Sequence, residues 1–495
     1  MSRKKGLTFF IISIVLITLF SCRKEFVFNS LSLDLKFSAD TLYLDTVFTG
    51  LNSSTRILKV FNTSDEGLRI GSVALARGDL SWYRLNVNGI SGKNVADVEI
   101  GPRDSIYIFV EITPLSNSSE LLYVDSIVFR SGTSVRYVHL VSLVNDAYFH
   151  FPNRFIAQFN LPYSLAPCNT TLPNDKPHVI YGYWVIDSLC TLTIEPGTRL
   201  HFHSGSGLWV FNGGTLLIDP QDAGSYENPV ILQGDRLEPF YRDIPGQWGG
   251  PLGGVFLMGG SKNNLIQNAV IKNGTIGIVL DSLDAPAPNT LIRNTRIFNF
   301  SRVGILGGFG SAEIQSSVVA NCGLYCFYAL GGRYRFTFTT FANYWNQSSR
   351  GTPAVALTNF FEDNNRTIQT RDILKAEFSS CIIYGSNNQE VGILKAPPSA
   401  GGIINYFFRN SILRVDNDTS RRGFDINNPF FFQECKFNLN PRFTDISLND
   451  YSIDSLSPAI DQAFFNDAIE IPLDIRKRFR SNSGLPDIGA YEYYQ

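Results

Sequence analysis

Three aromatic residues of the chain have settings that suit carbohydrate binding. Trp248 lies among glycines in PGQWGG, where an indole ring would be free to stack on a sugar, and Tyr344 and Trp345 are adjacent in ANYWNQ. Flat aromatic rings with a few polar partners are enough to bind a sugar without any chemistry. The alternative for each residue is structural, as an aromatic ring packed under a loop.

Basic and metal-ligating residues offer fewer possibilities. Arg333 and Arg335 alternate around Tyr334, so on a strand the two guanidinium groups would share one face, which suits either an acidic sugar or simple solvation. Cys322 and Cys326 lack a second cysteine pair at a zinc-site spacing, and the five histidines are not clustered around them. We therefore expect no metal site and no cofactor.

One short pattern recurs along the middle of the chain. Four asparagines lie 26, 22 and 22 residues apart, and each follows an apolar residue two places earlier; they are Asn273, Asn299, Asn321 and Asn343. Self-similarity near 22 residues indicates a solenoid in which each repeat is one coil. The strand-forming composition, without helical spacing or a leucine-rich frame, favours a parallel β-helix.

These asparagines are predicted to be structural rather than ligand-binding. Asparagine tolerates left-handed backbone angles and caps turns with its side-chain amide. Asparagines at equivalent positions of stacked coils can also hydrogen-bond to one another as a ladder. Asn273 is accordingly expected to be buried and amide-paired, with ligand binding as the alternative.

The elements around this repeat divide the chain into regions. Weaker copies extend the β-helix over residues 149–435, with a long excursion expected where the register breaks, at 346–373. Residues 23–148 are predicted to form a β-sandwich, because short alternating runs are separated by turn residues. These runs occupy residues 56–62, 68–75, 105–114 and 135–144.

Composition agrees with an all-β protein. The chain has 41 Gly and 23 Pro among 495 residues, and 13% of its residues are aromatic, which suits strands joined by turns. Lys and Arg number 42 against 44 Asp and Glu, so the net charge of −2 gives no basic stripe for nucleic acid.

The first 22 residues are predicted to direct export and anchoring. A basic start is followed by an uncharged run from Gly6 to Phe20, which suits a signal-peptide core better than a membrane span of about 20 residues. Leu19-Phe20-Ser21-Cys22 resembles the lipobox of bacterial lipoproteins, although Phe20 replaces the usual small residue. The resemblance implies a lipid anchor on Cys22 in the cell envelope, and the outer membrane is expected, with its periplasmic or surface face left open.

The other six cysteines form an even set, which permits disulfides in an exported chain, although their pairing cannot be read from the sequence. Cys168 and Cys190 lie one repeat apart, and we hypothesise a disulfide that joins an N-terminal cap to the first coil.

Longer segments resemble known families. LKVFNTSDEGLRIGSV and IYIFVEITP resemble immunoglobulin-like modules of the ASPM/SPD-2/Hydin type, which implies a spacer or interaction module. Residues 440–461, with SPAID, and 485–495, with DIGAYE, resemble the C-terminal signature of exported right-handed parallel β-helix proteins. That resemblance implies that residues 436–495 cap the solenoid. As a whole the chain is similar to an uncharacterised family of envelope lipoproteins that join both parts.

We therefore expect an all-β protein with an immunoglobulin-like β-sandwich followed by a right-handed parallel β-helix. The leading hypothesis is a lipid-anchored envelope protein whose β-helix binds a polysaccharide or an envelope protein without catalysis. A β-helix polysaccharide lyase or glycoside hydrolase is the alternative, and a purely structural envelope component is the second. Hydrolases of this fold carry an Asn-Thr-Asp motif and an Asp-Asp pair, because acid and base must flank the bond, and neither motif occurs in the chain. Enzymatic activity is therefore an open question, and the missing motifs favour a protein without it.

The anchor hypothesis predicts that Cys22→Ser releases the protein from the membrane fraction, because the acyl acceptor is lost. Fractionation of cells that express each variant checks this. Continued sedimentation of the Cys22→Ser chain with membranes would contradict the anchor.

Overall fold

The computed structural model describes most of the chain outside its first residues. The described residues are 28–29, 35–115, 122–237, 241, 243–281, 289–480 and 484–494, so the predicted signal peptide and Cys22 lie outside them. The chain divides after Asp146 into two compact units, which are described separately. In the described residues no helix has both the length and the apolar character needed to cross a bilayer.

The first unit is a β-sandwich of two sheets. Sheet A contains Phe28–Asn29, Gly67–Leu75, Leu122–Ser131, Ser134–Asn145 and Thr41–Phe48 in spatial order, with Asn94–Ile100 also paired to Gly67–Leu75. Sheet B contains Leu35–Phe37, Arg56–Asn62, Ser105–Ile112, Tyr83–Val87 and Ile90–Gly92. A short 3₁₀ turn covers Gly78–Leu80.

Alternation of apolar and polar residues explains this sandwich. On the strand Arg56–Asn62 the side chains of Leu58 and Val60 are fully buried while those between them are not, as expected for a sheet with one solvated face. Their partners in the shared core come from both sheets, including Ile70 and Phe129. All four runs chosen from the sequence coincide with strands.

The second unit is a solenoid of three sheets, which confirms the predicted all-β fold class. Their strands pair in parallel except for Arg154–Ile156 and Leu161–Leu165, which are antiparallel. Sheet C contains Tyr148–His150, His178–Ile180, Arg199–Phe202, Val230–Gly234, Ala269–Lys272, Arg296–Phe300, Val318–Cys322, Thr340–Asn343, Ile382–Gly385, Ile412–Leu413 and Lys436–Phe437. Sheet D contains Arg154–Ile156, Leu161–Leu165, Tyr183–Ile186, Gly207–Val210, Val255–Leu257, Ile276–Leu280, Val303–Gly307, Tyr325–Leu330, Val355–Thr358 and Val391–Leu394. Sheet E contains Thr170–Leu172, Thr191–Ile194, Thr215–Ile218, Asn264–Gln267, Thr290–Arg293, Ser311–Gln315, Gly332–Thr337, Ile373–Ser379, Ile404–Arg409 and Phe432–Gln433.

The remaining elements are short. The described residues include two antiparallel hairpins, Phe360–Glu362 with Ile368–Thr370 and Phe443–Asp445 with Asp450–Ile453. Helices cover Thr419–Arg422 and Phe465–Glu470, and 3₁₀ turns cover Ala157–Phe159, Pro398–Ala400 and Ile446–Leu448. The predicted excursion at 346–373 is shorter than expected, because Val355–Thr358 continues sheet D.

Inward side chains of successive coils stack directly on one another. In sheet C the strand register aligns Ile271, Ile297, Val319 and Phe341, which are all fully buried. Sheet E carries an aromatic equivalent in which Phe336, Phe378, Phe408 and Phe432 stack with centroid separations of 4.7, 4.7 and 5.3 Å. Each coil therefore buries its apolar stripe only by contacting the coil before and after it.

A disulfide joins two of the first coils. Cys168 and Cys190 precede strands that pair in parallel, Thr170–Leu172 and Thr191–Ile194, and their sulfur atoms are bonded at 2.04 Å. The hypothesised pairing is confirmed, but it links equivalent positions of two neighbouring coils. Cys322, Cys326, Cys381 and Cys435 are free thiols.

The C-terminal segment, described over residues 440–480 and 484–494, covers the side of the solenoid, so the expectation of an end cap is wrong in position. The outward side chains of sheet C include Val318, Ala320, Ala342 and Ile382, and residues of the segment such as Tyr451 and Tyr491 bury them. An apolar outer row of this kind is unstable in water and requires a cover along its length.

The DIGAYE signature fits this lateral contact closely. Gly489 has a φ of +104°, and a Cβ there would lie 2.8 Å from a side-chain carbon of Ile382, so only glycine allows the close approach. The backbone NH of Ala490 donates to Thr340 Oγ1 at 3.0 Å. The signature is therefore a docking segment for the outer face of sheet C.

A buried charge cluster holds the segment in place. The Arg480 guanidinium is fully buried, donates to Ser316 Oγ at 3.0 Å and to the carbonyl of Ala490 at 3.1 Å, and lies 3.6 Å from Glu492. Burial, together with the adjacent Asp487 carboxylate, raises the pKa of Glu492 to about 8. Folding thus favours the protonated form of this carboxyl group.

This raised pKa predicts a pH-dependent stability. The folded chain retains a proton on Glu492 that the unfolded chain releases between about pH 4 and 8, so the free energy of unfolding should fall as pH rises through that range, by on the order of a few kcal/mol. Glu492→Gln should remove this contribution. Urea unfolding of both variants at several pH values checks it.

The difference between the two variants is the quantity to compare. His150 and His201, whose pKa values burial lowers to about 4, act in the opposite sense at acid pH in both chains. Equal pH dependence in wild type and Glu492→Gln would contradict the raised pKa.

Candidate functional site

Trp248 does not form an exposed sugar platform, and this expectation is corrected. The indole is only 1% exposed, stacks on Phe202 at 4.4 Å and donates from Nε1 to the Lys272 carbonyl at 2.8 Å. The surrounding glycines explain the difference. A Cβ at Gly254 would lie 2.8 Å from the indole and one at Gly274 3.2 Å, so these glycines admit the ring to the core.

Arg333 and Arg335 share an outward face of sheet E, around the buried Tyr334. Arg335 is paired with Glu313 at 3.0 Å and with Glu470 from the C-terminal segment, so its charge is already balanced. Arg333 lies beside Lys375 in the register of the sheet. The two arginines lie on sheet E, whereas Tyr344 and Trp345 lie in the loop after the sheet C strand Thr340–Asn343, and the structure does not bring the four residues into one site.

The four asparagines occupy equivalent positions at the ends of sheet C strands, and three of them, Asn273, Asn299 and Asn321, have positive φ. Asn299 Nδ2 donates to Asn273 Oδ1 at 2.7 Å, and Asn273 is buried with a φ of +67°. The chain of amide contacts does not continue from Asn299 to Asn321 among the hydrogen bonds of the described residues. Asn343 Oδ1 instead accepts from the Cys322 NH at 3.0 Å, while its buried Nδ2 has no partner within the described chain.

A hollow beside these turns is the best candidate for a binding site, and we call it the amide groove. Its volume is about 450 Å³, within the range of small-molecule sites. Phe298 forms part of its floor, and Tyr344 and Trp345 supply aromatic walls. Its side-chain amides come from the turns and from the C-terminal segment; they are Asn299, Asn321, Asn346, Gln347 and Asn449.

The aromatic residues of the groove are fixed in orientation. Trp345 is part-exposed, its Nε1 donates to Ser348 Oγ at 3.0 Å, and its ring lies over Gly323. Tyr344 packs edge-on against Phe443 with centroids 6.2 Å apart. Burial raises the pKa of Tyr344 well above its usual value, so the phenol stays protonated and can donate a hydrogen bond.

The polar lining is neutral and held in place by its own hydrogen bonds. Asn321 Nδ2 donates to Asn449 Oδ1 at 2.6 Å, and Asn321 Oδ1 accepts from the Tyr344 NH at 3.2 Å. Among the described lining residues, Asp243 is the only one with a charged side chain. Amides that offer both donors and acceptors beside aromatic rings suit an uncharged, hydroxyl-rich ligand.

A buried ion pair beneath the groove fixes the loop that carries Trp345. The Arg350 guanidinium contacts Glu390 at 2.6 and 2.9 Å and donates to the Asn343 carbonyl at 2.9 Å, with side-chain exposures of 1% and 0% for the pair. Glu390 also accepts from the Ala354 NH at 2.8 Å. Both terminal nitrogens of the guanidinium and both Glu390 oxygens are thus hydrogen-bonded, while Arg350 Nε has no partner within the described chain, and the pair holds both ends of the loop.

Sequence reasoning missed the wall formed by the C-terminal segment. Ile446, Ser447 and Leu448 belong to the turn of the hairpin before Asp450–Ile453, and Leu448 is 77% exposed. No local pattern places this turn beside Trp345, since the two lie some hundred residues apart. The only available signal is an exposed leucine in a polar turn, which is weak by itself.

The two neighbouring histidines, His201 and His203, have different environments. His203 Nδ1 contacts Asp235 at 2.7 Å, and burial lowers the pKa of His201 to about 4, so the two histidines behave differently despite their spacing. Across the described ranges, no three His, Cys, Asp or Glu side chains converge as a metal ion would require.

Comparisons with known proteins add little to this picture. No protein-family model matches the chain, and no curated protein matches it. A solved structure of the catalytic domain of a GH87 α-1,3-glucanase in complex with nigerose is similar over 77% of this chain and 86% of that chain, with 12% identity and a TM-score of 0.20.

A second solved structure is a family 123 glycoside hydrolase from Clostridium perfringens, studied for glycolipid glycan hydrolysis. It is similar over 24% of this chain, with 10% identity and a TM-score of 0.17, and the chain spans only 31% of its length. Likeness at these levels says nothing about what this chain binds or does.

Replacing the two tryptophans should change the stability of the solenoid by very different amounts. Trp248→Ala should lower the free energy of unfolding of the solenoid by about 3–5 kcal/mol, because it empties a core position. Trp345→Ala should change it by less than about 1 kcal/mol, because the indole is part-exposed. Denaturant unfolding of both variants checks this, and a silent Trp248→Ala would contradict the buried placement.

Proposed function

We propose that the protein binds a neutral glycan without catalysis, in the amide groove. The observation that supports this most directly is the composition of the groove, in which three aromatic rings and five side-chain amides surround a hollow with one charged side chain among its described residues. Aromatic faces stack on sugar rings, and amides match the mixed donor and acceptor pattern of hydroxyl groups.

The proposed location is the cell envelope, with an acylated Cys22 as the anchor. This part of the proposal depends on the N-terminal sequence and on the resemblance to envelope lipoproteins. In that arrangement the first unit, proposed to be immunoglobulin-like, would serve as the connection between the anchor and a solenoid that contacts glycan.

Catalysis is the less favoured candidate. Glycoside hydrolysis uses two carboxyl groups on opposite sides of the scissile bond, about 5–9.5 Å apart. The described lining of the amide groove offers Asp243 alone. A binding site therefore agrees better with the described residues than a hydrolase site does.

A polysaccharide array probed with the detergent-solubilised full chain tests the proposal. We expect signals on neutral glycans, and we expect Trp345→Ala to weaken them about tenfold, which corresponds to about 1.4 kcal/mol from a lost stacking contact. A reducing-end assay on each bound glycan should show no cleavage.

A matched control separates loss of the site from general damage. Trp209 is another part-exposed tryptophan of the solenoid, in sheet D and away from the groove, so Trp209→Ala should leave the signals unchanged. An array without signals, or equal signals from Trp345→Ala and wild type, would contradict glycan binding in the groove. Cleavage of a bound glycan would replace the proposal by the enzyme alternative.

A further inference from the structure

A second polar hollow lies along the same side of the solenoid as the amide groove, and we call it the distal hollow. It has a volume of about 250 Å³, and its lining is rich in side-chain amides. The residues that define it are Tyr384, Asn388, Arg414, Asp416, Asn417 and Asn438. Neither the sequence patterns nor the proposed function uses these residues.

Strand register shows that the two hollows lie on one row of coils. In sheet C, Phe298 aligns with Ala320, Ala320 with Ala342, and Ala342 with Tyr384. Ile383 aligns with Leu413, and Leu413 aligns with Phe437. One residue later, the row therefore continues from Tyr384 to Arg414 and then to Asn438. Neighbouring strands are about 4.8 Å apart, so the row from Phe298 to Asn438 extends about 24 Å.

Tyr344 connects the two hollows. It lines the amide groove, and it packs against the same apolar cluster that contains Tyr384. Tyr384 and Arg414 both lie close enough to influence the Tyr344 phenol electrostatically. Tyr344 therefore lies between the amide groove and Tyr384, whose side chain is buried along one edge of the distal hollow.

The distal hollow resembles the groove in chemistry and in preorganisation. Arg414 lies 5.0 Å from the Tyr384 ring centroid and donates to the Tyr384 hydroxyl at 3.2 Å, which fixes its guanidinium. Asn438 Nδ2 donates to Asn417 Oδ1 at 3.0 Å. Arg414 and Asp416 carry opposite charges, so this lining also suits a neutral ligand. Groups already held in place lose less entropy when a ligand binds.

We propose that the ligand is a linear glycan of several sugars that runs along the solenoid axis and occupies the amide groove and the distal hollow together. This inference depends on the proposed function, because it takes the groove as one end of the glycan site. It adds that tight binding requires a glycan of several sugars, and that Arg414 and Asn417 contribute only to the binding of such long glycans.

Size fractions of soluble neutral glucans test the inference. Laminarin, dextran and maltodextrin, each fractionated from disaccharide to dodecasaccharide, would be titrated against the detergent-solubilised full chain. We expect affinity for the glucan that binds to rise at least about tenfold from the disaccharide to the longest fraction, about 1.4 kcal/mol of additional contact.

Variants of the distal hollow separate its contribution from that of the groove. Arg414→Ala and, separately, Asn417→Ala should lower affinity for the longest fraction towards that of the disaccharide, with disaccharide affinity unchanged. Trp345→Ala should weaken both. Arg333→Ala, an arginine on sheet E outside both hollows, should change neither.

The outcomes distinguish the two proposals. Length-independent binding that Trp345→Ala still weakens would overturn the inference and leave the proposed function standing, as would wild-type affinity for long fractions in both distal variants. If the wild-type chain binds none of the three glucans and the array is blank, the proposed function fails and the inference fails with it.

Discussion

In-register stacking of inward side chains is the constraint on which the whole solenoid depends. Ile271, Ile297, Val319 and Phe341 can be fully buried only if each coil presents its apolar residue directly over the preceding one. Because a shift of one residue would turn every inward side chain outwards, insertions are tolerated only at the corners between sheets. The loop that carries Trp345 is such an insertion, placed between the strands Thr340–Asn343 and Val355–Thr358.

The same constraint explains why the C-terminal segment lies along the side of the solenoid. Ala320 and Ala342 point outwards from sheet C, and Tyr451 and Tyr491 cover that row. The same segment also forms one wall of the amide groove, with Asn449 and the residues just before it. Docking of the segment through Arg480 therefore also completes the amide groove.

Sequence patterns predicted the periodic features of the fold. They missed features that depend on contacts between residues far apart in the chain or on backbone conformation alone. Asn273 and its equivalents revealed the solenoid because their residue type repeats. The corner between sheets E and C is as regular, with positive φ at Asn268, Ser316, Phe338 and Glu434, but the residue type varies and no pattern shows it. The prediction for Trp248 was wrong because its flanking glycines suggested an exposed loop, whereas glycines outside this motif, Gly254 and Gly274, leave room for the indole in the core. Tyr344 and Trp345 were recognised from their type, yet the hairpin turn opposite them was not.

The buried pair Arg350–Glu390 is best understood through the loop it holds. Replacing a buried ion pair by well-packed apolar residues is often neutral or stabilising, so stability alone does not account for it. Its hydrogen bonds instead connect the Asn343 carbonyl, the Ala354 NH and the core, and thereby fix both ends of the loop that presents Tyr344 and Trp345. A loop held in this way loses little conformational freedom on binding, which favours a preformed site for a rigid ligand. The pair therefore fixes the position of the aromatic wall of the amide groove.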